Sequence, residues 1–219
     1  MKKTVVLAVT MGLIIASCSN NGNEATVKDA EAVTVEKTAV TNEYKTVKAG
    51  SELDWRASHL GGVQPRFGKI SVKDAELLVN DGKLSNAKLH IDMTSFSVDN
   101  FGDDEDSKNK LTGHLMGADF FNVETNPTST FELTNITAID GNFNTEVTGN
   151  LTILDVTKSI TFKANILVSE NEVSVQSEDF TLDRTLWGLT YNVEGTEGVP
   201  VDYLISNDLG FTINVTVTK

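Results

Sequence analysis

The sequence predicts an all-β fold, either an antiparallel sandwich or a closed barrel, with one short helix. Two observations support this prediction. After Tyr44, apolar and polar residues alternate with a period of two in at least six segments, which is typical of half-buried strands. Turn signals such as 80–82 (Asn-Asp-Gly) and 140–142 (Asp-Gly-Asn) separate these segments. Periodicity alone does not distinguish the sandwich from the barrel.

The first 17 residues have the features of a secretory signal. Lys2 and Lys3 precede an apolar run over residues 5–16, which is shorter than the ~20 residues of a membrane-spanning helix. The run ends Ile-Ala-Ser-Cys at 15–18 and so resembles the bacterial lipoprotein signal. That resemblance implies cleavage before Cys18, lipidation of its sulfur and attachment to a membrane. The alternative is an ordinary signal peptide with an incidental cysteine.

The next segment, residues 18–43, is predicted to be the lipidated cysteine followed by a flexible linker. Residues 19–43 contain no aromatic residue and too little apolar surface to order by burial. Val33, Val35 and Val40 leave a short strand open as an alternative. The chain therefore divides into a signal peptide at 1–17, a linker at 18–43 and a domain at 44–219.

The alternating segments within the domain indicate its strands, and one further segment indicates the helix. The clearest alternation lies at 53–58, 89–94, 130–134, 147–153, 160–168 and 209–217. Residues 103–106 are four consecutive acids, and they precede a helical pattern over 107–116 in which Leu111 and Leu115 lie one turn apart. Acids at the start and lysines further along suit the helix dipole.

Composition and motif spacing argue against several functional classes. One cysteine cannot form an internal disulfide or a cysteine-based metal centre, and a net charge of −13 disfavours nucleic-acid binding. The histidines at 59, 90 and 114 lack metal-site spacing, and the acids at 103–106 lack the EF-hand pattern. We find no nucleophile elbow or catalytic triad pattern, so the sequence predicts neither an enzyme nor a bound metal or cofactor.

Three segments, together with Trp55 and the Ser58-His59 pair, resemble the YceI-like family of lipid- and polyisoprenoid-binding proteins. They read KLTGHLMGADFFN at 110–122 followed by NPTSTF at 126–131, VTGNLTILDVTK at 147–158, and FTLDRTLWGLTY at 180–191. The resemblance spans 44–219. It implies an extended, lipocalin-like antiparallel β-barrel with a helix near one end. It further implies an exported protein that holds an isoprenoid or similar amphiphile, without a metal or a catalytic residue.

The sequence departs from the family pattern at three positions. Asn122 stands where an acid is common, Asn126 replaces a frequent aromatic residue, and Asp155 replaces a frequent glycine in a turn. Because Asp tolerates left-handed turn geometry, we expect the turn to survive. The departures concern the ligand and the rim of the barrel, not the fold.

The apolar face of the alternating strands supplies the predicted lining of the lumen. A lumen of this kind would stabilise a bound apolar tail by about 25 cal/mol per Å² removed from water. The predicted lining residues are Trp55, Leu89, Ile91, Phe131, Leu133, Leu151, Ile153, Phe162, Phe180, Trp187, Phe211 and Ile213. The alternative is that these side chains pack on each other as a dry core.

Three polar residues are candidates for contact with a ligand head group. Arg184 has the geometry to bind a pyrophosphate bidentately, and its alternative role is a structural pair with a carboxylate such as Asp119. His59 and His114 match family positions, with structural hydrogen bonding as the alternative. Lys158 and Arg66 are weaker candidates.

Together these features predict a lipid-anchored envelope protein that carries or sequesters a polyisoprenoid or similar amphiphile. Its partners would be that lipid and, through acylated Cys18, a membrane. The inner-membrane retention signal has an Asp directly after the lipidated cysteine, whereas this chain has Ser19, so the outer membrane is favoured. The sequence does not distinguish its periplasmic face from its surface face. Homodimerisation is also left open. The competing interpretation is a non-catalytic envelope interaction module with a filled core.

Overall fold

The structure is a computed structural model that describes residues 23–33 and 41–219. The predicted signal peptide at 1–17 and the predicted lipidation site Cys18 lie outside the described residues. No described helix is long and apolar enough to cross a bilayer.

Strands make up most of the described chain. In chain order they are β1 (Asn23–Glu24), β2 (Thr26–Asp29), β3 (Thr41–Tyr44), β4 (Thr46–Val47), β5 (Glu52–Ala57), β6 (Arg66–Asn80), β7 (Lys83–Asp92), β8 (Thr128–Ala138), β9 (Thr145–Ile153), β10 (Val156–Val168), β11 (Glu172–Ser177), β12 (Phe180–Asp183) and β13 (Asp208–Thr218). The one α-helix of these residues is α1 (Glu105–Met116), and short 3₁₀ turns lie at Leu60–Gly62, Met93–Ser95, Arg184–Trp187 and Val201–Tyr203.

The strands form a closed antiparallel barrel of eight positions. β5 to β10 pair with one another in chain order. The seventh position is shared by two short strands, β11 and then β12, which lie one after the other along β13. β13 pairs with both of them and with β5, and this closes the barrel. The β5–β13 ladder closes the barrel, and β1 and β2 pair with the edges of β12 and β10 that the barrel strands leave open. The predicted all-β antiparallel barrel with one short helix is confirmed, and of the two architectures left open by periodicity the barrel is the one formed.

The barrel has two different ends. At the end we call the mouth, connections join β5 to β6, β7 to β8, β9 to β10 and β12 to β13. The β7–β8 connection carries α1, which begins where the Asp104 side chain accepts a hydrogen bond from the Ser107 amide at 3.0 Å. At the far end, short turns join β6 to β7, β8 to β9 and β10 to β11. The long, irregular connections therefore cluster at the mouth.

The prediction of a flexible linker over 18–43 is wrong for residues 23–33 and for residues 41–43. β1 pairs in parallel with β12, and β2 pairs antiparallel with β10. β3 extends the barrel wall by pairing with β6. Low apolar content did not predict the order of these residues because backbone pairing and polar side-chain contacts hold them in place. Within residues 23–33 the buried apolar side chain is that of Ala25.

A close backbone crossing at the mouth explains the glycine at position 68 in β6. Residues 96–99 cross over β6, with the Ser97 amide donating to the Lys69 carbonyl and the Trp55 indole donating to the Ser97 carbonyl at 3.1 Å. A Cβ at Gly68 would lie 1.9 Å from the Ser97 carbonyl oxygen. Glycine at this position is therefore required by space.

We predict that Gly68→Ala lowers the free energy of unfolding by about 1–3 kcal/mol, because the crossing segment must move away from β6. Urea denaturation measures the change. Gly113→Ala is the matched control, since a Cβ there meets nothing within 4 Å in an exposed helix and should stabilise by about 0.4–1 kcal/mol. Equal effects of the two substitutions would contradict the described crossing.

Candidate functional site

The barrel encloses an apolar cavity of about 450 Å³. This volume lies within the ~300–1,000 Å³ typical of small-molecule sites. Lining residues from the far half of the barrel, such as Leu77, Leu84 and Val215, are buried. Lining residues at the mouth, such as Lys110 and Tyr203, are exposed. The cavity is therefore closed at the far end and accessible at the mouth.

The alternation of each strand explains why the lining is apolar. On β9, Leu151 and Ile153 point into the cavity, while Thr148 and Thr152 lie on the outer face. There the hydroxyls of Thr148 and Thr152 lie 2.9 Å and 2.8 Å from those of Thr161 and Thr157 on β10. Apolar side chains thus face inward, and hydroxyl pairs tie neighbouring strands together on the outside.

Eleven of the twelve predicted lining residues border this cavity. They are Trp55, Leu89, Ile91, Phe131, Leu133, Leu151, Ile153, Phe162, Phe180, Phe211 and Ile213. Trp187, by contrast, does not border the cavity. It is 1% exposed, and its indole nitrogen donates to the Leu151 carbonyl at 3.1 Å. It sits in a 3₁₀ turn rather than a strand, so alternation gave no information on its direction.

The inward side chains do not pack the lumen completely. Leu89, Phe131, Leu151 and Phe211 all keep intermediate solvent exposure although they point inward, since they border the cavity. Aromatic packing fills one part of the lumen wall, where Phe162 stacks on Phe180 with ring centroids 4.8 Å apart. The described barrel thus combines a packed wall with open apolar space.

Arg184 borders the cavity, but backbone carbonyls take its guanidinium donors. Nε donates to Ser206 at 3.0 Å, one terminal nitrogen donates to Leu189, and the other donates to Ile205 at 3.1 Å. The residue is 1% exposed. Burial lowers the pKa of the Arg184 guanidinium, and the nearby Asp183 carboxylate opposes that effect. These bonds hold the β12–β13 connection at the mouth together.

The predicted pairing of Arg184 with Asp119 is absent from the described contacts. Asp119 instead faces His114, whose Nε2 lies 3.9 Å from the carboxylate. The sequence could not show that the β12–β13 connection returns three carbonyls to Arg184. A buried guanidinium needs several acceptors, and folded loops can supply them as well as a carboxylate can.

Both predicted histidines lie at the mouth and border the cavity. His59 lies in the β5–β6 connection, where its Nδ1 is 2.6 Å from the Asp202 carbonyl, so this nitrogen donates. The ring of His114, on α1, packs edge-on against Phe120 and Tyr191 with centroids 5.0 Å and 4.9 Å away. Each histidine thus joins two mouth connections, and its ring remains partly exposed.

Several further residues at the mouth were not recognised from the sequence. Phe101, Lys110, Phe120, Tyr191 and Tyr203 all border the cavity. They lie on connections or on α1, where a period of two carries no information. Arg66, a weaker candidate from the sequence, also borders the cavity, and its guanidinium lies 4.9 Å from the centroid of Phe101. Lys158 does not border it but pairs with Asp29 on the barrel wall.

The mouth places cationic and polar groups around an apolar opening. Arg66 and Lys110 bring cationic groups to its lining, and Ser107 adds a hydroxyl. Among the residues that the structure describes, no group of three or more His, Cys, Asp or Glu side chains is arranged to hold a metal. The site can therefore surround an apolar chain and offer polar contacts at one end.

The helix at the mouth should loosen in acid because of its N-cap. Hydrogen bonds from the Ser107 hydroxyl and amide lower the pKa of the Asp104 carboxyl below its ordinary value of 3.8. A lowered folded-state pKa means that this stabilisation is present above pH 3.8 and is lost as the pH falls below it. We predict faster amide exchange in residues 105–108 at pH 2.5 than at pH 5, after correction for intrinsic rates. Asp104→Ala should remove the difference.

A scan against known families matches residues 44–217 to the YceI-like domain. The chain belongs to this family. A UPF0312 protein from Pseudomonas paraeruginosa is 33% identical over 136 residues, covering 61% of this chain and 66% of that protein. A UPF0312 protein from Pseudomonas aeruginosa is 33% identical over 131 residues. The chain spans just under two thirds of the length of these curated relatives.

Two solved structures share the fold of this YceI-like chain at low sequence identity. Burkholderia cenocepacia BcnA has a TM-score of 0.57 at 19% identity, covering 78% of this chain and 98% of its own. A polyisoprenoid-binding domain from Saccharophagus degradans, described as implicated in plant cell wall breakdown, also has a TM-score of 0.57, at 15% identity. It covers 81% of this chain and 99% of its own. At these identities the likeness establishes the barrel fold.

Proposed function

We propose that this protein binds a polyisoprenoid or similar amphiphile in its barrel and carries or sequesters that lipid without transforming it. The observation that supports this most is the apolar cavity, which is closed at the far end and accessible at the mouth. An isoprenoid tail would occupy the lumen, and its polar head would lie among Arg66, Lys110 and His114. The polyisoprenoid-binding description of a structural neighbour is consistent with this proposal.

The energetics favour a long apolar chain over a compact polar substrate. Each CH₂ group moved from water into an apolar site contributes about 0.8 kcal/mol, so affinity should rise with the length of the buried chain. The rise ends when the cavity is full. A role in binding rather than catalysis fits the arrangement of the lumen, where the polar lining groups gather at the mouth and the deep lining is aliphatic and aromatic.

Titration with prenyl alcohols of 10, 15 and 20 carbons tests this function. We expect the dissociation constant to fall at least tenfold between 10 and 15 carbons and to level off once the tail exceeds the cavity. Glycerol and isopropanol serve as controls without a tail and should not bind. Weak binding that is independent of chain length would contradict the proposal and favour an envelope interaction module.

We further propose that Cys18 is acylated and holds the barrel at a bacterial envelope membrane, with the outer membrane favoured by Ser19. The lipoprotein-like signal supports this proposal. Strand pairing begins at Asn23, five residues after Cys18. Since an extended chain spans at most ~3.6 Å per residue, a tether of five residues reaches no more than about 18 Å from Asn23. The anchor would thus hold the barrel directly at the membrane surface.

Cell fractionation of the wild type and of Cys18→Ser tests the anchor. We expect the wild type in the membrane fraction, with a mass increase that matches acylation, and the variant in the soluble fraction. Ser17→Thr leaves the cysteine in place and is the control for a change near the cleavage site. A soluble, unmodified wild type would contradict the anchor without affecting the proposed lipid binding.

A further inference from the structure

The barrel wall contains a lateral slot that residues 23–29 fill. β10 pairs with β11 only over Ala164–Val168, so its first half has no β11 partner. β12 continues from β11 along β13, but it does not pair with this half of β10. β2 pairs with β10 over Lys158–Thr161, and β1 pairs with β12 over Phe180–Thr181. We call the gap between these two strand segments the slot.

The slot opens onto the cavity. Ile160 and Phe162 of β10 and Phe180 and Leu182 of β12 border the cavity on either side of it. Neighbouring strands lie about 4.8 Å apart, so removal of the inserted strand leaves about 10 Å between the flanking backbones. On the cavity side, the stacked rings of Phe162 and Phe180 form a second, side-chain barrier across the slot.

Few apolar contacts hold residues 23–33 in place. Ala25 is buried and Val27 half-buried, while the other residues of 23–33 are exposed. β2 pairs with β10 over four residues, whereas β9 pairs with β10 over nine. Segments with few buried apolar contacts open at low free energy without unfolding the whole domain.

Polar side chains of the barrel hold this segment and can exchange its contacts for water. The carboxylate of Glu178, a residue that is 7% exposed, accepts from the side-chain amide of Asn23 at 2.7 Å. The Asn150 side chain donates to the Glu31 carbonyl at 2.7 Å and accepts from its amide at 2.9 Å. If the segment left, water could replace the contacts that Glu178 and Asn150 make with it, so these two side chains would not be left without partners.

We propose that residues 23–29 form a removable strand of the barrel wall, and that the amphiphile passes between the membrane and the cavity through the slot it vacates. This inference rests on the proposed lipid binding and anchoring. Cys18 lies five residues before Asn23, so the anchor brings this wall of the barrel, rather than the mouth, to the bilayer. Residues 23–33 lie outside the region that matches the YceI-like domain.

A disulfide between Thr26→Cys and Thr161→Cys tests this route, because these residues are direct partners across the β2–β10 ladder. The pair is introduced into the anchored full chain, where the acylated sulfur of Cys18, the single native cysteine, cannot compete for the disulfide. Thr152→Cys with Thr157→Cys is the matched control, a cross-strand pair on the outer face of the continuous β9–β10 ladder. The probe is a fluorescently labelled 20-carbon prenyl alcohol delivered in phosphatidylcholine vesicles.

We expect oxidation of the 26–161 pair to slow uptake at least tenfold, reduction to restore it, and the control pair to change it less than twofold. Uptake at the same rate in the oxidised and reduced 26–161 variant would overturn the lateral route and assign entry to the mouth. If the parent chain binds no prenyl alcohol in solution or in vesicles, the proposed function fails separately.

Hydrogen exchange tests the opening itself and needs no ligand. In the full chain carrying Cys18→Ser, the amides of residues 25–29 should exchange at least tenfold faster than the β10 amides paired with β9. Equal protection of the two sets would show that the segment does not leave the wall on its own, and the proposal would be overturned. The Asn150→Ala variant should increase the exchange of residues 25–31, because it removes both hydrogen bonds to Glu31.

Discussion

Leu89→Trp is expected to abolish binding of a 20-carbon prenyl alcohol, raising its dissociation constant at least tenfold. Leu89 lies on β7 and points into the cavity, where the larger indole would occupy space that the ligand needs. Since the indole enters open volume, we expect the free energy of unfolding to change by no more than about 1–3 kcal/mol, the usual range for overpacking. Fluorescence titration and urea denaturation measure the two effects.

Leu167→Trp is the matched control for this prediction. Leu167 lies on the outer face of β10 near the far end and is 65% exposed, so the same substitution there leaves the cavity unchanged. Binding should stay within twofold of the parent. Retained affinity in Leu89→Trp, with the fold intact, would mean that the ligand binds outside the barrel lumen.

Arg184→Met is expected to lower the free energy of unfolding by about 3–5 kcal/mol. The substitution keeps most of the side-chain volume but removes every donor to the carbonyls of Leu189, Ile205 and Ser206. Each buried carbonyl left without a donor costs about 1–3 kcal/mol. Part of that cost is recovered when the β12–β13 connection moves and its carbonyls bind water. Urea denaturation measures the loss.

Arg66→Met separates this structural role from contact with a head group. Arg66 also borders the cavity at the mouth, but it is only half-buried, so its substitution should change the free energy of unfolding by less than about 0.5 kcal/mol. If Arg184→Met folds as stably as the parent and instead loses affinity for a prenyl phosphate, the guanidinium binds ligand and our account of the mouth is wrong.

The parts of the site that the sequence predicted are those governed by strand periodicity. Leu151 and Ile153 alternate with threonines along β9, so their common direction followed from the chain alone. The resemblance to the YceI-like family added that the sheet closes into a barrel. Neither source showed how much of the lumen is open, because cavity volume depends on how side chains from opposite walls meet.

The parts that the sequence missed depend on contacts between distant segments. Tyr203 reaches the cavity from the β12–β13 connection, and Trp187 points away from the cavity in a 3₁₀ turn. Neither segment has a hydrophobic periodicity that predicts the direction of its side chains. Asn23 and Glu31 are ordered by Glu178 and Asn150, more than 100 residues away in sequence. Because this segment has few apolar residues, the sequence predicted a linker, although the backbone of residues 23–29 completes the barrel wall.

The most direct test of lipid binding in the lumen is native mass spectrometry of the full-length protein, purified in mild detergent from the cells that produce it. We predict a complex whose excess mass is lost on collisional activation and is identified as a prenyl-chain amphiphile, present in the parent and in Leu167→Trp but absent from Leu89→Trp. Protein that carries no dissociable amphiphile, or that carries equal amounts in both variants, would contradict the central claim.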